Sequence, residues 1–329
     1  MRRLPILALS LFACGDPSAH SLSRASSELT VNQGQQMQGQ QMQGQQMQGA
    51  ALGAYTSEAP ILHSYAGWIR SYRQLPPATL SLGSLTVILP GGWRLQGAAL
   101  EGVFIPATQA GNPIWTVVRS VTQDPTYPDG STFLYALDII IADGTTRPLC
   151  RPDASGVAAA IPVAAVFDPH GNRVESTAQF TMGCTAGVVA KCYRWGYRPW
   201  INGDPQFAQL HWACTRMARA DYCGDGRTWT YDGTLINLWD RAPSPGPFNS
   251  HGSPPPSFVF EAGWSAQGAV CLSKQRWATL PPEFAQACPS RLIAPGVSTS
   301  AGTVCDSDDA AVQLDASTQL FDESQLNVQ

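Results

Sequence analysis

Charge is scarce in this chain. Asp, Glu, Lys and Arg make up 13% of the 329 residues, about half the share of an ordinary soluble domain. The formal net charge is −4, and −6 once Arg2 and Arg3 leave with a processed leader, so there is no basic stripe of the kind nucleic acid requires. No C-x-x-C spacing occurs, which removes the usual frame of a zinc site. There is no glycine loop between a strand and a helix to cradle a nucleotide, and Gly263-Trp264-Ser265-Ala266-Gln267-Gly268 misses the G-x-S-x-G elbow by one residue. Asp221, Asp225 and Asp232 stand near Gly224, Gly226 and Gly233 but not at EF-hand spacing, so they read as turns. No metal, cofactor or catalytic set is expected.

What the chain does hold is apolar mass, turn formers and thiols. An apolar fraction of 44% with 10 tryptophans supports a substantial core, while 26 prolines, 30 glycines and nine cysteines point to many turns and a covalent framework. Residues 1–14 read as a secretion leader: Arg2 and Arg3 precede an apolar run over 4–12 that is too short to span a bilayer. The run ends in Leu11-Phe12-Ala13-Cys14-Gly15, which resembles a bacterial lipobox and makes Cys14 the expected lipidation site; Phe12 is bulkier than usual there. Several acyl chains on one cysteine anchor a protein stably without a membrane helix. Asp16 does not follow Cys14 directly, so export to the outer membrane or cell surface is expected, with the membrane as first partner and an envelope protein or polysaccharide as the second.

Residues 15–58 are rich in Ser, Gln and Gly, and a five-residue Gln-Gln-Met-Gln-Gly unit recurs at 35–39, 40–44 and 45–49. With so few apolar groups the segment reads as a disordered tether. Contact of Met37, Met42 and Met47 with copper or oxidants, or Gln-rich self-association, are the other readings. Residues 59–183 form a β-rich part, with strands at 79–82, 85–89, 99–105, 115–121, 132–141, 161–167 and 177–182 separated by turn signals such as Pro90-Gly91-Gly92 and Asp143-Gly144. This pattern suits a sandwich or partly open barrel. Residues 184–305 form a smaller, disulfide-stapled helical and hairpin part: a short helix at 185–194, a hairpin over 228–239 turning at Asp232-Gly233, strands at 257–264 and 269–273, and a helix at 281–288. Residues 306–329 read as an acidic mobile tail. The fold class is α+β.

The stretch around 204–226 organises the second part. Asp204-Pro205 is a helix start and Gly224 a helix stop. One stripe of that helix carries Phe207, Leu210, His211, Cys214, Met217, Ala218, Asp221 and Tyr222; the other carries Gln209, Trp212, Arg216, Arg219 and Cys223. Cys214 and Cys223 then lie about 180° apart and about 13 Å along the axis, too far to pair with each other. Cys184 and Cys192 are disfavoured more weakly as a pair. With Cys14 acylated, Cys150, Cys184, Cys192, Cys214, Cys223, Cys271, Cys288 and Cys305 form an even set for four disulfides, with Cys150 and Cys184 able to meet at one rim. Asp221, on the apolar stripe, needs backbone N–H groups or an arginine such as Arg194 or Arg198; the alternative is a functional acid with a shifted pKa. His211 and Cys214 on neighbouring turns have the spacing of a Cys-His pair, against the reading that Cys214 is bridged. Tyr193, Trp195, Tyr197 and Trp200, with Arg194 and Arg198, offer a face for stacking sugars, against the reading that they are core rings.

Ala220-Asp221-Tyr222-Cys223, followed by Gly224-Asp225-Gly226, resembles the signature of ADYC-domain proteins, secreted bacterial lipoproteins. Gln179 to Cys184, Ala190-Lys191-Cys192, Gly196 to Trp200, Phe260 to Trp264 and Gly268 to Cys271 are also similar to that family, over roughly residues 110–290. The resemblance implies a compartment and brings no activity or catalytic residue. The chain is expected to be a lipid-anchored, non-catalytic interaction or structural module. The alternatives are a glycan or cell-wall binder, or a hydrolase built on His211 and acids near Asp221.

Overall fold

The computed structural model describes residues 78–81, 83–89, 91–109, 112–127, 129–140, 144–168, 170–174, 179–199, 205–230, 234–242, 251–277 and 305–325, with the backbone of 36–39 and 49–53. The architecture is α+β and mostly β. In chain order, β1 (Gln36–Gly39) and β2 (Gly49–Gly53) precede a small sheet of β3 (Ala78–Ser81), β4 (Ser84–Ile88) and β5 (Arg94–Gln96). Then come β6 (Phe104–Gln109), β7 (Asn112–Gln123), β8 (Phe133–Ile140), β9 (Thr146–Pro148), β10 (Ala160–Val163), β11 (Val166–Phe167), β12 (Arg173–Val174) and β13 (Gln179–Cys184). Helices α1 (Val188–Arg194) and α2 (Pro205–Ala218) lead to β14 (Thr234–Asp240), β15 (Phe258–Ser265) and β16 (Gly268–Leu272), and the described chain closes with α3 (Asp308–Leu314) and β17 (Leu320–Gln325).

The first part is a seven-stranded sheet in the order β10-β13-β2-β6-β7-β8-β9, and Ala160 of β10 also pairs with Tyr135 of β8, so the sheet curls round into a partly open barrel. Alternation along β8 makes this work. Tyr135, Leu137 and Ile139 point into the interior with Ile105, Val118, Phe180 and Met182, whereas Leu134 faces the cluster that holds Val189, Ala190 and Tyr193 of α1. The small sheet closes the interior with Leu85 and Val87, and the Tyr135 hydroxyl accepts from the Leu85 N–H at 2.9 Å. Cys150 and Cys184 meet at the rim as a disulfide, Cα atoms 5.3 Å apart.

The second sheet has the order β1-β14-β17-β15-β16, all antiparallel. Its centre is β17, the last of the described strands, inserted between β14 and β15. Helix α2 packs across this sheet, and its cluster joins Leu210, Cys214 and Met217 to Ile236, Ala262, Trp264 and Leu320.

Several expectations need correcting. The acidic mobile tail instead supplies a helix and the central strand, because Leu320 and Phe321 are fully buried and Asp322, Glu323 and Ser324 find polar partners inside. Parts of the segment read as a disordered tether pair as backbone strands, β1 on β14 and β2 between β13 and β6. Residues 97–100 form a 3-10 turn where a strand over 99–105 was expected; Gly97 at φ 54° and Gly102 at φ 82° break extension, and the strand begins at Phe104. Among the described residues, 228–230 form no strand against 234–239: the Trp229 N–H donates to the Arg219 carbonyl at 3.1 Å, and Thr234–Asp240 pairs with β1 and β17. The helix expected at 281–288 lies outside the described residues.

Candidate functional site

Helix α2 stops earlier than its glycine suggested. It ends at Ala218, and Ala220 takes the left-handed conformation at φ 50°, the one non-glycine residue with positive φ among those described. The Ala220 N–H donates to the Met217 carbonyl at 2.9 Å and the Asp221 N–H to the Arg216 carbonyl at 2.9 Å, the paired bonds of a Schellman ending. Glycine usually takes this place. Here the alanine methyl is buried in the cluster with Met217, Tyr222 and Trp264, which repays some of the left-handed strain.

That early stop swings the next residues off the helix and inward. Asp221 is fully buried, and its partners are not Arg194 or Arg198 but the two arginines of its own helix end. Arg216 Nη1 donates to Asp221 Oδ2 at 2.5 Å, and Arg219 Nη2 stands 3.8 Å from the same oxygen. The N–H groups of Asp225 and Gly226 donate to Asp221 Oδ1 and Oδ2, each at 3.1 Å. Burial raises the Asp221 carboxyl above its ordinary value, with Arg219 and Arg216 pulling it back. Burial likewise pushes Arg219 down to about 10. Arg194, by contrast, pairs with Asp124 at 2.9 Å and Asp153 at 3.3 Å on the barrel side.

The arginines also bind three turns together. Arg216 donates to the His170 carbonyl at 2.7 Å, to Asn172 Oδ1 at 2.8 Å and to the Ala266 carbonyl at 3.2 Å, while Arg219 Nη2 donates to the Gly226 carbonyl. The turn after β11, the loop after α2 and the β15–β16 turn thus meet at one guanidinium pair. The contact leaves no room for side chains: a Cβ on Gly171 would come within 2.6 Å of Arg219 Nη1, and one on Gly224 would run into the Gln267 carbonyl.

Tyr222 links this knot to a second one. Its ring stacks on Trp264 with centroids 5.3 Å apart, and its hydroxyl donates to Glu261 at 2.9 Å while accepting from the Arg276 N–H at 2.8 Å. Arg276, fully buried, bonds both Glu261 oxygens at 3.1 and 3.0 Å and Asp322 Oδ2 at 2.8 Å; Trp264 Nε1 holds Asp322 Oδ1 at 2.7 Å. A bulge between Phe260 and Ala262 turns Glu261 inward against the alternation of its strand. Burial alone would raise the Glu261 carboxyl, but Arg276 and Lys274 hold it below its ordinary value, whereas burial and the Glu261 charge push Asp322 well above. Lys274 Nζ reaches Ser324 Oγ at 2.6 Å.

The thiols complete the frame. Cys192 and Cys214 bridge α1 to α2 with Cα atoms 5.8 Å apart, and Cys271 and Cys305 bridge β16 to the segment before α3 at 5.6 Å. Cys223 is bridged as well, to a cysteine outside the described residues, where Cys14 and Cys288 both lie. Neither Cys214–Cys223 nor Cys184–Cys192 is a pair. With Cys214 bridged, His211 has no thiol partner. It is fully buried, its Nε2 donates to the Val189 carbonyl at 2.9 Å, its Nδ1 has no partner, and burial drives its pKa down to about 4.

The proposed stacking face also dissolves. Tyr193 and Tyr197 are fully buried, their hydroxyls bonded to Thr132 at 2.7 Å and Asp240 at 3.0 Å; Trp195 is half-buried against the α2 cluster, and Trp200 lies outside the described residues. Arg276, Glu261, Asp322 and Lys274 escaped the sequence reading. Their signal was present, since in a chain with 13% charge an acid inside Phe258-Val259-Phe260-Glu261-Ala262 or beside Leu320-Phe321 asks for a buried partner. Among the described residues no three His, Cys, Asp or Glu side chains gather to hold a metal, and no helix is long and apolar enough to cross a membrane.

The family model of the ADYC domain matches residues 97–278, which takes in the first knot and the Tyr222, Glu261 and Arg276 of the second but not Asp322, Cys305 or α3. No curated protein and no solved structure matches the chain.

Proposed function

Since the chain belongs to the ADYC-domain family, we propose that it is an exported, lipid-anchored envelope module that presents a rigid surface to a partner and carries out no reaction. The observation that carries this reading is the fate of the four signature residues. Ala220 ends a helix, Asp221 pairs with two buried arginines, Tyr222 joins two networks and Cys223 is bridged. Each does folding work, and none presents a reactive atom to solvent. The pair with catalytic spacing is likewise used up, His211 being buried and Cys214 oxidised.

The compartment follows from chemistry. Disulfides form and persist in oxidising spaces, and the N-terminal run ending at Cys14 is the feature that would carry lipid. Mass spectrometry of the non-reduced, digested protein tests both halves. The expected result is Cys150–Cys184, Cys192–Cys214 and Cys271–Cys305 peptides together with an acylated N-terminal peptide beginning at Cys14. A free thiol at Cys214, or an N-terminal peptide without acyl mass, would sink the reading.

A further inference from the structure

The most exposed large apolar side chain among the described residues is Trp93, 75% exposed, at the tip of the β4–β5 hairpin. The tip is rigid: the Leu89 N–H donates to the Trp93 carbonyl at 2.8 Å and the Gly92 N–H to the Leu89 carbonyl at 3.0 Å. Gly91 and Gly92, at φ +89° and +84°, turn the chain at the tip, and beyond its two chain neighbours no described atom lies within 4 Å of where a Cβ would stand on Gly92. Arg94, the next residue, is also exposed, a cation in a chain whose net charge is −4.

A single ring standing out from a hairpin tip offers no concave cleft of the kind that buries a small ligand. It does match a bilayer interface, where an indole seats its apolar body and leaves its N–H among the headgroups while a neighbouring arginine meets phosphate. The 21 residues from 15 to 35 reach at most about 70 Å fully extended. An acylated Cys14 therefore keeps the domain within that reach of a membrane, where a contact too weak for free solution becomes occupied.

We propose that the Trp93 hairpin tip is a second membrane contact, which seats its indole in the interfacial zone of the bilayer and so fixes which face of the domain points away from it. This rests on the lipid-anchored reading, and the two can fail separately. The test uses the full mature chain with Cys14→Ser, which cannot be acylated, mixed with vesicles of phosphatidylcholine and phosphatidylglycerol that carry brominated acyl chains. Vesicle association with quenched tryptophan fluorescence is expected, and Trp93→Ala should reduce partitioning about ten-fold, as loss of one buried aromatic side chain implies. The thermal midpoint should stay nearly unchanged, because three quarters of this residue is already in solvent. Equal partitioning with and without Trp93, or Trp93-dependent retention on purified peptidoglycan but not on vesicles, would overturn the proposal. Missing acyl mass on Cys14 of the native protein removes the anchor without touching the vesicle result.

Discussion

At Asp221 a single carboxylate answers two guanidinium groups and two backbone N–H groups inside the protein. Removing one member of a buried ion set leaves the others uncompensated, which costs about 3–5 kcal/mol. Asp221→Asn keeps the shape and loses the charge, so it should lower the stability measured by urea denaturation by that amount; a change near zero would show that the arginines are neutralised from elsewhere. His211 gives a pH signature. Its pKa is about 4 in the folded chain against 6.5 for an ordinary histidine, so the unfolded chain binds the proton more readily. The contribution of this neutral ring is therefore fully present above pH 6.5 and is lost as pH falls from 6.5 towards 4, by up to about 1.4 kcal/mol per pH unit. In His211→Gln that part of the acid slope should vanish, read as urea midpoints across this pH range.

At the scale of elements, the end of α2 shows what pattern reading catches and what it misses. The apolar stripe of α2 was legible from 3.6-residue geometry and its start from Pro205, whereas Cys214 and Cys223 do not pair because Cys214 is bridged to Cys192, the helix ending before Cys223. The stop was not, because alanine at a left-handed position carries no sequence mark; it is permitted only by the cluster that receives its methyl. The same limit applies to Arg216 and Arg219. A helical wheel places them on the side away from the core, yet three turns arrive from elsewhere to enclose them. The Cys192–Cys214 bridge closes a separation of 22 residues between α1 and α2, for which chain entropy implies about 3 kcal/mol. The Cys192→Ser, Cys214→Ser double variant should lose that much in guanidinium denaturation. An unchanged midpoint would mean that packing alone docks the two helices.

At the scale of the molecule, composition and alternation revealed an α+β fold with a barrel-like first part, because those strands are half-buried and alternate. The second sheet was illegible at its centre. Leu320-Phe321-Asp322-Glu323-Ser324 is short and acidic at the end of a polar stretch, and its burial depends on Arg276, Asn237 and Lys274, far away in sequence. Ending the chain after Asp306 should therefore leave Arg276 and Glu261 without Asp322 and abolish the cooperative thermal transition of the second sheet. A truncated chain that melted as the full one does would mean that β14 and β15 close the gap themselves.

The position of β17 also dictates a timetable. Strands β14 and β15 both run antiparallel to it and so lie parallel to each other, with a one-strand gap that no earlier segment fills. From Asp240 to Leu320 the ribosome must add 80 residues, on the order of 4–16 s at ordinary rates, before the keystone exists. During that interval two open edges face their surroundings, so a chain interrupted near its end stays unfinished at its centre.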